Sequence, residues 1–381
     1  MLVRNRFTND TRVEREARTL VDAGYAVTIV ADGGPGLPRT EQRAGATVHR
    51  VARRGPNLPL LRFVVHRRRL EAVLRRTRPQ ILHAHDADAL QTVGPVASRL
   101  RIPFVYDSHE LWLGRTARGR SRLYDFLNRL WYRWIEGRYV PRAALVMVAN
   151  PGVAPELERR YGVKGVATVP NYPADAADIA PRNLRDLPDG RAIPADVALV
   201  LYVGGVMPHR GLEELLAAMT ELPEAHLVCL GAGGGITSKI EAEIRRLGLA
   251  ARTHLIRPVP SEDVVPYAAS ATVGVSIVQP ASLSYRLALP NKLFQYMAAG
   301  IPVVASDFPD VRQVVEGSGA GVVVDPADSR AVAAAIRRLI DDPKLARAMG
   351  VAGHRAVRER FNWQRSAQEL LRGYRAIASA A

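Results

Sequence analysis

The sequence predicts an α/β protein made of two doubly wound, Rossmann-like parallel-sheet domains in tandem. Three observations carry this. Strand-like and helix-like stretches alternate along almost the whole chain, the pattern of strands joined by helical crossovers. The alternation lapses once, over residues 174–195, where Pro, Asp and Ala gather and periodicity is lost, and then restarts. At 381 residues the chain is also long for a single domain.

The elements follow in order. MLVRN opens as a short strand. Residues 11–23 form a helix with Val13, Ala17 and Leu20 on one stripe, closed by Gly24. AVTIVA (26–31) and ATVHRVA (46–52) are strands. Residues 59–77 form a helix carrying the basic run at 67–69. QILHAHD (80–86), PFVYDSHE (103–110), ALVMVA (144–149) and VATVPNYP (166–173) are further strands with helices between them. We take 1–175 as the first domain and 176–195 as the linker. Residues 196–362 form the second domain, with strands at DVALVLYVGG (196–205), HLVCLG (226–231), THLIRPVP (253–260) and VGVSIV (273–278), then in VVASDFP and GVVVDP. Residues 363–381 form a final helix. GAGGG (231–235) lacks the spacing of a dinucleotide fingerprint and reads as a tight strand–helix turn.

Composition bounds the rest. An apolar content of 48% with 24% charged residues is ordinary for a globular chain. No apolar run reaches the 18 or so residues of a membrane span, and no apolar signal core follows Arg4 and Arg6. Cys229 is the single cysteine, so no internal disulfide forms and a reducing, cytoplasmic compartment is expected. The net charge of +16 is lopsided. Residues 1–180 hold 30 Lys+Arg and 17 Asp+Glu, a balance of +13, which leaves +3 for residues 181–381. A basic first half points to an acidic partner such as anionic lipid or a phosphate-bearing acceptor. No nucleic-acid motif accompanies it.

The stretch with most chemistry is LPNKLFQYMAAGIPVVASDFPD (289–310). Pro290 and Asn291 set a helix start, Gly300 ends the helix, and IPVVAS reads as a buried strand. A cation at a helix N-terminus is mildly unfavourable by itself. An anion there reverses the balance, because free N–H groups and Lys292 both face it. Gln295 lies three residues on, on the same face, within reach of a ribose. Upstream, YVGGVMPHRGLEEL (202–215) places Gly204 and Gly205 after a strand and Arg210 before a helix, a backbone and a guanidinium suited to phosphate.

The 289–310 segment resembles the nucleotide-binding motif of the retaining GT-B glycosyltransferases of family 4. Members often read PNKLFEYMAAGIPVVASD, one residue away from this chain. Two glutamates typical of the family fall here on Leu287 and Gln295. The resemblance covers nearly the whole chain. It implies two domains facing an interdomain cleft, with the last helix packing back on the first domain. It implies transfer from a nucleoside diphosphate sugar to a glycan, lipid-linked or small-molecule acceptor, in cell-envelope or exopolysaccharide synthesis. Arg210 and Lys292 would share the diphosphate in place of a metal, so no cofactor is expected. Gly204, Gly205, Asn291, Gln295 and the RPVP segment with Arg257 and Val259 would hold the donor, and His109 would stand at the sugar. Glu110, Asp86 and Asn9 would lie on the acceptor side. Family chains usually have a longer first strand before NDTRV (9–13), so either this strand is clipped or the start lies upstream.

Two further stretches stay open. His83 and His85 in HAHDAD (83–88) share a strand face like a metal-binding pair. No other His/Asp cluster is visible to complete a site, so no metal is expected. Segment 111–142 holds eight arginines, two acids and three of the four tryptophans, with Leu123, Leu127, Leu130 and Trp134 on one stripe. It reads either as a helix packed on the sheet or as a contact with an anionic membrane surface at the inner membrane face. Rival readings are a degenerate subunit that only binds a partner, a hydrolase with metal at His83 and His85, and a sugar-nucleotide epimerase.

Overall fold

The computed structural model describes residues 1–53, 57–114, 122–173, 180–232 and 237–380. It divides into two compact units, Met1–Asn171 with Arg365–Ala381, and Tyr172–Gln364.

The first unit carries strands β1 (Thr28–Asp32), β2 (Thr40–Arg43), β3 (Ala46–Val51), β4 (Leu82–His85), β5 (Phe104–Ser108), β6 (Leu145–Val148) and β7 (Ala167–Thr168). They form the orders β2-β3-β1 and β4-β5-β6-β7. Leu2 joins the two by parallel bridges to Val30 and Ala84. The pairs are parallel except β2 with β3. Strand β2 has no counterpart in the sequence reading. Its turn uses Ala44 and Gly45, both at positive φ (52° and 75°), as a two-residue hairpin needs. Alanine in the first of those places is a weak hairpin signal, and TEQR has no apolar face to advertise a strand. The expected strand over 166–173 shrinks to the two residues of β7.

Helix Thr11–Asp22 begins where Asp10 accepts from the Val13 amide at 3.2 Å and buries Val13, Ala17 and Leu20. Helix Trp363–Ala380 belongs to the first unit from Arg365 onward. There Ser366 donates to the Pro170 carbonyl at 2.8 Å, and the Tyr374 hydroxyl lies 2.8 Å from His83 Nδ1.

The second unit is a six-stranded parallel sheet. Its strands are β8 (Ala198–Val203), β9 (Ala225–Leu230), β10 (Thr253–Ile256), β11 (Val273–Ser276), β12 (Val303–Ser306) and β13 (Gly321–Val324). The order β10-β9-β8-β11-β12-β13 reverses direction between β8 and β11, the switch point where such sheets bind ligands. Residues 180–195, read above as linker, are built into this unit: Leu184 and Ile193 are buried in the same core as Phe294 and Met297. Residues 174–179 lie outside the described residues, as do 233–236, which take most of the GAGGG turn with them.

At the switch point β8 and β11 pair only through Val200↔Val273 and Leu201↔Gly274. Beyond that, a side chain replaces the ladder. The Tyr296 hydroxyl accepts from the Val203 amide at 2.8 Å and donates to the Val275 carbonyl at 3.2 Å. Gly274 makes room for the ring, since a Cβ there would come within 2.3 Å of it. Tyr296→Phe leaves both backbone groups buried and unpaired, at roughly 1–3 kcal/mol each. We expect a loss of about 2–4 kcal/mol, read as a lower urea midpoint for the second unit. An unchanged midpoint would show that the splayed strands do not need this link.

Candidate active site

In the second unit the site is assembled at the carboxyl end of β8. Gly204 leaves the strand at φ +115°, and its amide donates to the Leu230 carbonyl at 2.8 Å. Gly205 borders open space. Arg210 comes just before Gly211, which opens helix Leu212–Met219. Gly211 sits at φ +81°, and a Cβ there would fall 1.9 Å from the Ile277 carbonyl oxygen. This approach presses the loop carrying Arg210 onto the end of β11, where the Gln279 amide donates to the His209 carbonyl at 3.0 Å.

Helix Asn291–Ala298 starts after Pro290, with no side chain capping its first amides. Gly300 follows its end at φ +72°, as the sequence predicts. Asn291 is exposed and Gln295 half-buried. Lys292 is buried, with Nζ 3.6 Å from the centroid of the Tyr202 ring and no hydrogen-bond partner among the described residues. Burial, then the nearby charge of Arg210, lowers its ammonium to about 7. Arg210 itself lies 5.3 Å from the Tyr285 ring centroid. Two cations thus gather at a helix start that no side chain caps, and among the described residues neither forms an ion pair with a carboxylate, the ordinary setting of an anion site.

Not every expected donor group points there. The Arg257 side chain is exposed and held by Asp189 at 3.0 Å, so it is turned to the surface. Val259 packs on the core. What remains of RPVP is its backbone next to β10, apart from the Arg257 amide, which also donates to Asp189 at 3.2 Å. The Ile256 carbonyl there accepts from the Gly231 and Ala232 amides at 2.9 and 3.0 Å.

In the first unit a buried polar cluster surrounds the ends of β4 and β5. Asp107 accepts from Arg12 (Nε 2.9 Å, Nη2 2.6 Å) and lies 2.8 Å from His109 Nε2 and 3.2 Å from His85 Nδ1. Asp86 Oδ1 accepts from the His109 amide at 2.9 Å. Burial works against a charged His109, but Asp86 and Asp107 outweigh it and push the imidazolium up to about 9. Burial raises Asp107, yet the charges of Arg12 and His109 hold it well below the usual carboxylate range. Burial and Asp107 together push Glu16 up to about 8 despite Arg12. Burial lowers His85 to about 4.

His109 and Asp86 are thus brought together in the first unit, and Glu110 follows His109 in the chain, its carbonyl accepting from Ser108 at 2.9 Å. Asn9 is exposed in the turn before Asp10. Sequence reading missed Arg12 and Glu16. Both sit on the buried face of helix Thr11–Asp22 among ordinary charged residues, and only their own i, i+4 spacing, each one residue ahead of Val13 and Ala17, marked that face. The expectation that nothing completes a cluster around His83 and His85 is also corrected. Glu16 and Asp107 each place a ligand atom within 4.8 Å of theirs.

A family model described as Glycosyltransferase Family 4 matches residues 10–172, and one described as Glycosyl transferases group 1 matches 198–342. The chain belongs to the family 4 glycosyltransferases. Among curated relatives of this glycosyltransferase is a D-inositol 3-phosphate glycosyltransferase of Acidothermus cellulolyticus, 29% identical over 95% of this chain and 84% of its own length. An alpha-maltose-1-phosphate synthase of Mycolicibacterium smegmatis is 27% identical over 65% of this chain and 66% of its own. Of solved structures, a sucrose-phosphate synthase from Thermosynechococcus elongatus superposes with a TM-score of 0.78 at 23% identity, covering 97% of this chain and 93% of its own. Anabaena HepE in complex with UDP and glucose gives 0.78 at 15% identity and 98% of each chain. These structural likenesses establish the GT-B fold.

The lowered Lys292 ammonium fixes a pH dependence of stability. The unfolded chain keeps this proton up to about 10.5, the folded chain only to about 7. Between those values the unfolded state binds more protons, so stability rises with pH and the penalty is fully present below 7. Lys292→Met should stabilise the apo protein by a few kcal/mol at pH 6 and flatten the rise between pH 7 and 10. Urea titrations at three pH values measure it; equal slopes in both proteins would mean that the ammonium stays hydrated.

Proposed function

We propose that this glycosyltransferase moves a sugar from a nucleoside diphosphate sugar to a glycan, lipid-linked or small-molecule acceptor, with retention of configuration, in cell-envelope or exopolysaccharide synthesis. The observation that carries the reading is the buried, unpaired Lys292 ammonium beside Arg210 at an uncapped helix start. Such a pocket is costly when empty and favourable once a diphosphate fills it. Relatives add support, one solved in complex with UDP and glucose and one a GDP-mannose-dependent mannosyltransferase.

In this reading the bond between the anomeric carbon and the β-phosphate oxygen breaks, and the electron pair goes to the leaving diphosphate. Arg210 and Lys292 stabilise that developing charge without magnesium. Gln295 and Asn291 hold the nucleoside side with Gly204, Gly205 and the backbone at Arg257 and Val259. His109 meets the sugar. Asp107 is saturated by Arg12, His85 and His109, and Asp86 is tied to the His109 amide, so neither suits a covalent nucleophile. Front-face attack fits better: the acceptor oxygen bonds to the same face of the sugar and its proton passes to the departing phosphate. Glu110, Asp86 and Asn9 border the acceptor.

An anionic membrane surface is the proposed location, on the cytoplasmic side. No helix among the described residues is long and apolar enough to cross a membrane. Helix Arg122–Tyr139 buries Tyr132, Ile135 and Tyr139 against its unit, whereas Leu123, Leu127, Leu130 and Trp134 are 47–67% exposed, with Tyr124, Phe126 and Trp131 beside them. Of the two readings left open for this stripe, its exposure favours the surface contact over packing on the sheet. Arg129, Arg133 and Arg138 share the helix, which matches the chemistry of an acidic headgroup layer. The rest of segment 111–142 includes 115–121, outside the described residues.

Two outcomes test this. Calorimetry with UDP and GDP above pH 7 should show uptake of up to one proton per diphosphate bound, because Lys292 must be protonated in the complex. Affinity should fall as pH rises through 8, and Arg210→Ala or Lys292→Ala should lower turnover more than tenfold without added magnesium. Full transfer by the double variant would overturn the leaving-group role. Separately, the protein should sediment with vesicles rich in phosphatidylglycerol, and Leu127→Glu with Trp134→Glu should weaken this at least tenfold. Equal failure on anionic vesicles by the unaltered protein would remove the membrane.

A further inference from the structure

We propose that the first unit holds a structural divalent cation of the zinc class, ligated by Glu16, His83 and His85, with a water in the fourth position. This cation is separate from the diphosphate chemistry of the second unit. The argument begins with orphaned atoms. His83 Nε2, His85 Nε2 and Glu16 Oε2 are all buried and have no hydrogen-bond partner among the described residues. Each residue is 2% exposed or less. Leaving three acceptor-capable atoms unpaired in a protein interior is unusual, and a group of them in one place asks for a cation.

The ring nitrogens on the far sides are already committed. His83 Nδ1 lies 2.8 Å from the Tyr374 hydroxyl, and His85 Nδ1 lies 3.2 Å from Asp107 Oδ2. If these nitrogens carry the ring protons, both Nε2 atoms present lone pairs. That is the arrangement in which metal-binding imidazoles are oriented by an outer hydrogen bond. The two rings stack at 4.1 Å with 19° between planes, so they approach as a pair on adjacent same-face positions of β4. Glu16 comes from helix Thr11–Asp22, and its Oε2 stands 3.7 Å from His83 Nε2. That gap is too long for a hydrogen bond. It is close to the ~3.3 Å that separates two ligands around a tetrahedral ion with bonds of about 2.0 Å.

The surrounding charges leave room for it. Asp107 is filled by Arg12, His85 and His109 and acts as the anchor of the His85 ring. Arg12 is turned to Asp107 and the Val169 carbonyl, and meets Glu16 only at Oε1, 3.0 Å away. The ligand atoms of the cluster lie within 4.8 Å of one another, so side-chain rotations of about 1 Å close the site. Two imidazoles and one carboxylate suit zinc and its neighbours better than magnesium or calcium.

The test uses the full chain purified without chelator. Elemental analysis should find roughly one equivalent of zinc that survives dialysis, and cobalt(II) loaded in its place should give d–d absorption between about 500 and 650 nm. Glu16→Gln keeps the side chain's shape and should reduce the bound metal to under a fifth. His83→Ala should do the same where it folds, and the wild-type cobalt spectrum decides the matter where it does not. Metal below a tenth of an equivalent in zinc-supplemented wild type, with no zinc-dependent rise in Tm, would overturn the proposal. So would undiminished metal in Glu16→Gln. None of these readouts depends on sugar transfer.

Discussion

One phenol hydroxyl holds the second unit at its most vulnerable place. A doubly wound sheet must part its strands where the winding direction changes, and the parted backbone has to satisfy its amides and carbonyls somehow. Here Tyr296 does so, reaching from the helix of the 289–310 segment to Val203 on one strand and Val275 on the other. The same helix carries Lys292 at its start, under which lies the ring of Tyr202 from the strand that Tyr296 anchors. Fold and site are thereby fixed by one element. Moving the helix to reposition the lysine would also break the link across the gap in the sheet.

The two units treat buried charge in opposite ways. In the first, Asp107 is surrounded by Arg12, His85 and His109, and every one of its oxygen contacts is made inside the protein. Removing one partner there would strand the others, which gives the cluster its rigidity. In the second, Lys292 is left without a counter-ion and Arg210 adds to its discomfort. A protein keeps such a charge only where something else supplies the missing partner. The contrast is between a carboxylate with charged partners on every side and a cation with none among the described residues.

Much of this was legible in the chain. Alternating periodicity gave the two sheets, and Pro290, Asn291 and Gly300 marked the helix that carries Lys292. Glycines at 204 and 205 marked the turn after the strand, whereas the close backbone approach itself falls on Gly211, against Ile277, which the sequence reading did not single out. Other features were hidden for definite reasons. Strand β2 has no apolar face and turns through an alanine. Residues 180–195 look like a linker because two short turns have no periodicity, yet Leu184 and Ile193 are core residues. Glu16 lies 67 positions before His83, so only the folded helix shows that they share a site. The exposed ridge on helix Arg122–Tyr139 was legible as a stripe, but a stripe does not say which way it faces.

Lysine chemistry gives the site an unplanned property. The chain has four lysines, at 164, 239, 292 and 344, and all but Lys292 are exposed. An ammonium that loses its proton near 7 is already about half free amine in neutral buffer. A lysine exposed to water keeps its proton there. Burial thus sets this lysine apart from the other three, and an anion beside it would restore the proton.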